Sequence, residues 1–148
     1  MMKIRGKTII IILIAIFTVY NLSWFSITTV KYNRYVKVIP KNKWGLHFIE
    51  KEDGYMYSVK KPSYLDFTGN LGVVNNKKGN SLIIWPLISG GYKYGVRLQK
   101  DGRAYEIYVD ENMEPILKDD STEVQKLKEY KTELEVLFTK ANEMWDLN

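Results

Sequence analysis

The chain opens with a block unlike anything that follows it. From Thr8 to Val30, 23 successive residues carry no charged side chain, and Ile9 to Val19 is nearly all Ile, Leu, Ala, Phe and Val. A helix that is apolar all round belongs in lipid or in a core, and about 20 residues at about 1.5 Å each cross a hydrocarbon layer of about 30 Å. The block therefore predicts a transmembrane anchor over residues 8–30. Residues 1–7 precede it with Lys3, Arg5 and Lys7. Short basic flanks of this kind stay in the cytoplasm, so the remainder is expected outside. Tyr20, Trp24 and Phe25 fall toward the far end, where amphipathic rings suit the lipid–water boundary. Asn21, Ser23 and Ser26 dilute that second half and raise a competing reading, a cleaved signal peptide. Its cut site is poor: no Ala-x-Ala occurs, and the best small pair is Ser26 and Thr28.

Past the anchor the period changes from all-round to alternating. Tyr32 to Ile39 alternates loosely and predicts a first strand, ended by Pro40, inside a basic juxtamembrane segment over 31–43. Three hairpins follow. Trp44–Glu50 and Tyr55–Lys60 flank Glu52-Asp53-Gly54; Leu71–Val74 and Ser81–Trp85 flank residues 75–80; Tyr92–Gln99 and Arg103–Asp110 flank Lys100-Asp101-Gly102. Asp-Gly supplies the positive φ that tight hairpins need. Trp44-Gly45-Leu46 parallels Tyr94-Gly95-Val96, which reads as shared hairpin chemistry rather than as a repeat.

The last element is helical. Leu127, Tyr130, Leu134, Leu137, Ala141 and Met144 recur at spacings of three and four, with Phe138 and Trp145 widening the stripe. Asp120 or Ser121 is placed to cap a helix over about 121–146. The fold class is α+β: an N-terminal transmembrane helix, then an antiparallel sheet of hairpins packed by one C-terminal amphipathic helix, with residues 44–148 as the extracytoplasmic domain.

Composition narrows the chemistry. The 148 residues include no Cys and one His, which excludes disulfides, thiolate zinc sites, a Cys nucleophile and His-pair metal motifs. The net charge of +5 is unevenly spread. Residues 31–100 hold 13 basic and 4 acidic side chains, and residues 101–148 hold 6 and 13, so the two stretches are expected to attract within the fold. Lys31, Arg34, Lys37, Lys41 and Lys43 directly follow the anchor and are candidates for contact with lipid or an envelope polymer. The alternative is a solvated linker.

Candidate catalytic chemistry is sparse. His47 lies mid-strand without a motif partner. Asp110-x-Asn112-x-Glu114 mimics the start of a calcium loop, but the required Gly is missing and Pro115 follows, so a plain turn is expected. Glu50, Asp66 and Glu106 qualify as a carboxylate pair only if folding brings two of them together. No phosphate loop, cofactor motif or nucleic-acid motif is legible. The aromatic residues are the stronger signal. Trp44, Tyr55, Tyr57, Tyr92, Tyr94 and Tyr105 lie in the predicted sheet, and a helix covering one face would leave the other as a Tyr-rich binding surface. The expected function is a membrane-anchored, non-enzymatic binding protein of the cell envelope, contacting lipid through residues 8–30 and a protein or polymer through its domain. The alternatives are an immunity or inhibitor-type protein, an accessory subunit of a membrane complex, and a small envelope hydrolase.

Overall fold

A computed structural model describes residues 6–117 and 121–147. Most of the basic tail, with Lys3 and Arg5, and the capping candidate Asp120 lie outside the described residues. Helix α1 spans Gly6–Val36, about 46 Å at the standard rise. Its most apolar stretch has a mean hydropathy of 2.1 with none of it buried. The chain thus carries one N-terminal helix long and apolar enough for a membrane anchor, and equally compatible with a signal sequence.

The strand expected over 32–39 is a correction. Residues up to Val36 continue α1, and the reason is in the spacing. Thr28, Tyr32 and Tyr35 recur at four and three, all three are buried, and Ile39 follows just past the helix. Extending an existing helix fixes one residue per hydrogen bond gained, so this stripe outweighs a loose alternation.

Six strands follow: β1 (His47–Glu50), β2 (Tyr55–Lys60), β3 (Asn70–Asn75), β4 (Asn80–Pro86), β5 (Tyr92–Lys100) and β6 (Arg103–Val109). They form one antiparallel sheet in sequence order, a meander. The turns carry Gly54, Gly79 and Gly102 at positive φ, as Asp-Gly and Lys-Gly loops require. Strand β1 starts later than expected. Trp44 and Gly45 lie in a turn in which the Asn42 side chain accepts the Trp44 and Leu46 amides at 3.0 Å. The parallel with Tyr94-Gly95, which is mid-strand, ends there.

The C-terminal stripe is also corrected, from one helix to two. Helix α2 (Thr122–Glu129) starts on Ser121, whose hydroxyl accepts the Val124 amide at 3.4 Å. Tyr130 leaves the helical region at φ −107°, and α3 (Lys131–Trp145) starts directly after it. On either side of the break, α2 packs on β6 and α3 on β3 and β4. Both helices and the last turns of α1 cover the same sheet face. There Tyr32, Tyr35, Leu71, Leu82, Ile84, Leu98, Leu134 and Leu137 are almost fully buried, and each such aliphatic side chain contributes roughly 1.5–3 kcal/mol.

Two contacts tie distant parts of the chain together. The Tyr32 hydroxyl accepts the Gly69 amide at 2.6 Å inside the core. Glu133 on α3 pairs with Lys78 at 3.0 Å and Lys100 at 3.3 Å and accepts a hydrogen bond from buried Asn80, so the basic and acidic stretches do meet.

Replacing Tyr32→Phe leaves the buried Gly69 N–H without its acceptor, and a loss of about 1–3 kcal/mol is expected in thermal or denaturant unfolding. Gly69→Ala is expected to be worse, because a Cβ there runs into the Lys60 carbonyl oxygen. Glu133 gives a pH signature. Partial burial pushes its carboxyl up, but Lys78 and Lys100 outweigh that and hold it below the ordinary 4.5. A depressed acid contributes stability above its unfolded value and loses it as pH falls through the folded one. Glu133→Gln, which keeps the Asn80 contact, is therefore expected to melt several degrees lower at neutral pH, with the gap closing in acid.

Candidate functional site

In a meander, alternate connections lie at opposite ends of the sheet. The tight turns at 51–54, 76–79 and 101–102 share one end. The connections at 61–69 and 87–91 share the other, and both dock on α1.

The 61–69 connection reaches furthest along the apolar helix. Tyr64 donates its hydroxyl to the Asn21 amide oxygen at 2.6 Å, and the Trp24 indole N–H donates to the Asp66 carbonyl at 2.6 Å. Tyr20 donates to the Leu65 carbonyl at 3.3 Å. Trp24 and Tyr64 meet edge to face at 5.4 Å, Tyr20 and Phe67 at 5.9 Å. Leu65 takes φ 68°, rare for a residue with a Cβ, at the tip of this connection. Tyr64 and Leu65 stay half exposed beside the helix.

About two turns beyond Trp24 is a second docking point. The Lys31 ammonium donates to the Leu87 carbonyl. The Arg34 guanidinium donates to the hydroxyls of Tyr35 and Tyr92 and lies over the Tyr35 ring at 4.6 Å. The two hydroxyls are 3.2 Å apart. Burial, then the Tyr35 hydrogen bond, pushes the Tyr92 phenol well above its ordinary value of 10.0. A cavity of about 370 Å³ opens between Lys31, Arg34 and Tyr92 on one side and Leu87, Ile88 and Gly90 on the other. Among the described residues neither cation pairs with a carboxylate.

The other basic candidates are dispersed. Lys37, Lys41 and Lys43 are exposed along the chain leading to β1, with the Lys43 ammonium 4.4 Å over the Trp44 ring. Trp44 itself is 71% exposed in its turn, off the sheet.

The sheet tyrosines are not where a Tyr-rich open face needs them. Tyr57, Tyr94 and Tyr105 are buried on the covered face, Tyr57 against Trp145 and Tyr94 against Phe138. Tyr55 is half-buried on that side, and Tyr92 belongs to the Lys31–Arg34 cavity. The uncovered face carries the opposite parity. One row across the strands reads Phe48, Ser58, Gly72, Ile83, Gly95, Tyr108. Trp85 lies over Gly95, where an added Cβ would stand 3.0 Å from the indole. Its ring is 5.9 Å from Tyr108, and the Lys93 ammonium caps Tyr108 at 4.3 Å. With the Arg97–Glu106 ion pair they border a shallow cleft of about 230 Å³. Sequence reasoning missed this pairing. Its signal was the parity of Tyr108, offset by one from Tyr105, Ile107 and Val109.

The remaining candidates have structural roles. His47 Nδ1 donates to the Ile39 carbonyl at 2.8 Å. The Asp110 carboxylate accepts the Asn112 and Glu114 amides at 2.9 Å and closes a turn. Glu50 and Glu106 occupy opposite edges of the sheet, five strand spacings or about 24 Å apart, beyond the roughly 10 Å limit for a glycosidase pair. Asp66 is at the α1 end. No group of metal-ligating side chains occurs among the described residues. No family model, curated protein or solved structure matches this chain.

The cleft depends on a missing methyl group. Gly95→Ala is expected to lift the Trp85 ring off the sheet and shift its fluorescence, with the far-UV circular dichroism unchanged. Trp85→Phe identifies the emission that moves.

Proposed function

We propose that this chain is a non-enzymatic, single-pass membrane protein that binds a partner protein at the outer face of the cell membrane. One observation carries the reading. Helix α1 is unbroken from its exposed apolar turns to Thr28, Tyr32 and Tyr35, which are part of the domain's core. A cleaved signal peptide is cut in an extended, small-residue segment. Here the candidate cut at Ser26–Thr28 is helical, and Tyr20, Asn21 and Trp24 just before it hold the 61–69 connection. Removing them strips the domain of its own contacts, which favours a retained anchor. The basic flank before the apolar run favours a cytoplasmic N-terminus.

A domain fused to its anchor without a linker works within its own height of the bilayer. Strands of seven to nine residues make that height about 25–30 Å. The surface with the character of a protein-binding site is the uncovered sheet face, where Trp85 and Tyr108 present a rigid aromatic platform beside a charge pair. The binding energy is expected to concentrate on these two rings, with the surrounding Ser, Gly and Val residues excluding water.

The test uses intact cells and the full chain. The protein is expected in the membrane fraction after alkaline wash, with its N-terminal residues present in the mass of the purified product. A soluble form starting near Thr29 overturns the anchored reading. A photo-crosslinker at Tyr108 is expected to give a discrete adduct, reduced about tenfold or more by Trp85→Ala, the scale of a hot-spot loss. The same crosslinker at Thr139, exposed on α3, is expected to give none. Equal capture at both positions overturns the open face as the binding surface.

A further inference from the structure

We infer that the cavity between α1 and the 87–91 connection seats the phosphate of an anionic membrane lipid, held by Lys31 and Arg34. The inference rests on the anchored reading of α1 and adds a ligand to it.

The first argument is depth. The charge-free run starts after Lys7, and about 20 residues exhaust a 30 Å hydrocarbon layer, so the layer ends near residue 27 or 28. Lys31 then lies about 4–6 Å further out, within a headgroup zone of about 5–8 Å, and Arg34 about 9–10 Å out, at its outer rim within reach of a long side chain. The 61–69 connection supports this level independently. Tyr64 and Leu65 dock beside residues 20–24, close to the hydrocarbon edge, and remain half exposed there. They are an aromatic and an aliphatic side chain suited to the lipid–water boundary, and exposed Asp66 beside them keeps the connection at that boundary rather than within the hydrocarbon. The domain's base thus rests at the leaflet surface, with the cavity further along α1 on its outer side.

The second argument is charge. Two cations three residues apart on one helix repel each other and normally recruit a carboxylate. Among the described residues, Lys31 and Arg34 instead meet neutral oxygens: the Leu87 carbonyl and two tyrosine hydroxyls. An ammonium has three donors and a guanidinium five, so both retain N–H groups for another acceptor. What the arrangement lacks is an anion with several oxygens, and a phosphodiester is the anion that every bilayer of acidic lipid presents at that height.

The third argument is shape. A volume of about 370 Å³ accepts a phosphate with part of its glycerol, and the lip is apolar. Val30 is 79% exposed and Ile88 55% exposed, beside the cation pair. A free phosphate ion gains nothing from that lip, whereas a lipid continues from the cations onto it and down the apolar flank of α1.

The experiment incorporates the full-length protein into nanodiscs of phosphatidylcholine with or without phosphatidylglycerol, then extracts it gently and weighs the lipid retained by native mass spectrometry. The wild type is expected to keep one phosphatidylglycerol per chain, enriched roughly tenfold or more over its share in the disc, the scale set by two basic residues near an anionic surface. Lys31→Gln with Arg34→Gln is expected to erase the enrichment. Because those substitutions also remove bonds to Leu87 and Tyr92, Ile88→Asp is the second variant. It lies at an exposed position, leaves both cations in place, and is expected to erase the enrichment by charge alone. Equal retention of the two lipids, or enrichment that survives both variants, overturns the headgroup site while leaving the anchor standing. A chain that never enters the discs overturns both. If inorganic phosphate displaces the retained lipid at low concentration and protects the protein equally well without any lipid, the source is free phosphate and the lipid assignment is wrong.

Discussion

The structure depends on a single helix meeting two solvent requirements in succession. Over its first turns α1 must be apolar on every side. Over its last turns it must offer one stripe to a core and wet its other side. Thr28, Tyr32, Tyr35 and Val36 accomplish the change without a break in the backbone. The contact that fixes the result is the Tyr32 hydroxyl on the Gly69 amide, made where only a glycine leaves room. It joins α1 to the β2–β3 connection, so the position of the whole sheet relative to the helix follows from it.

The same joint resolves a tension inside the apolar segment. Asn21 and Trp24 carry polar groups that are costly in hydrocarbon unless they find partners. Asn21 donates its amide nitrogen to the Phe17 carbonyl and accepts from Tyr64, and Trp24 donates to Asp66. The domain thus satisfies the polar groups of the helix it hangs from. Seen from the sequence, these residues weaken a membrane segment; seen from the fold, they are the reason the 61–69 connection lies along it.

The parts of the fold that were legible are those governed by local chemistry. Asp53-Gly54 and Asp101-Gly102 mark turns because positive φ is cheap there, and β4 and β6 alternate cleanly. The misread parts are governed by tertiary choice. Residues 32–36 carry both a period of two and a period near three and a half, and only the core decides between them. Tyr130 fits the helical stripe and yet breaks it, because α2 and α3 must follow different strands. The candidate binding surface failed for a related reason. Tyr57, Tyr94 and Tyr105 were recognised as aromatic and strand-forming, but which parity faces the helices is set by the packing of Trp145 and Phe138. Lys31 and Arg34 were visible as charges; their shared cavity requires the 87–91 connection, which is 56 residues away in the chain.

The two candidate surfaces impose different demands and therefore constrain each other little. The cavity at Lys31 and Arg34 is at the α1 end of the sheet, while the Trp85–Tyr108 platform is on the face that no helix covers. Trp85 nevertheless connects them in sequence, since Pro86 and Leu87 follow it directly into the 87–91 connection. The aromatic face is therefore joined through this short connection to α1, where Lys31 holds the Leu87 carbonyl. For a partner confined to the same membrane, this orientation is a gain. The entropic loss of aligning two surfaces is largely met before they collide, and a modest contact area suffices for a lasting complex. On the proposed anchored reading, the rigidity is a restriction for a partner arriving from bulk solution, because a bilayer at α1 would shadow one edge of the platform. On the same reading, this arrangement suits a partner that is itself bound to the membrane.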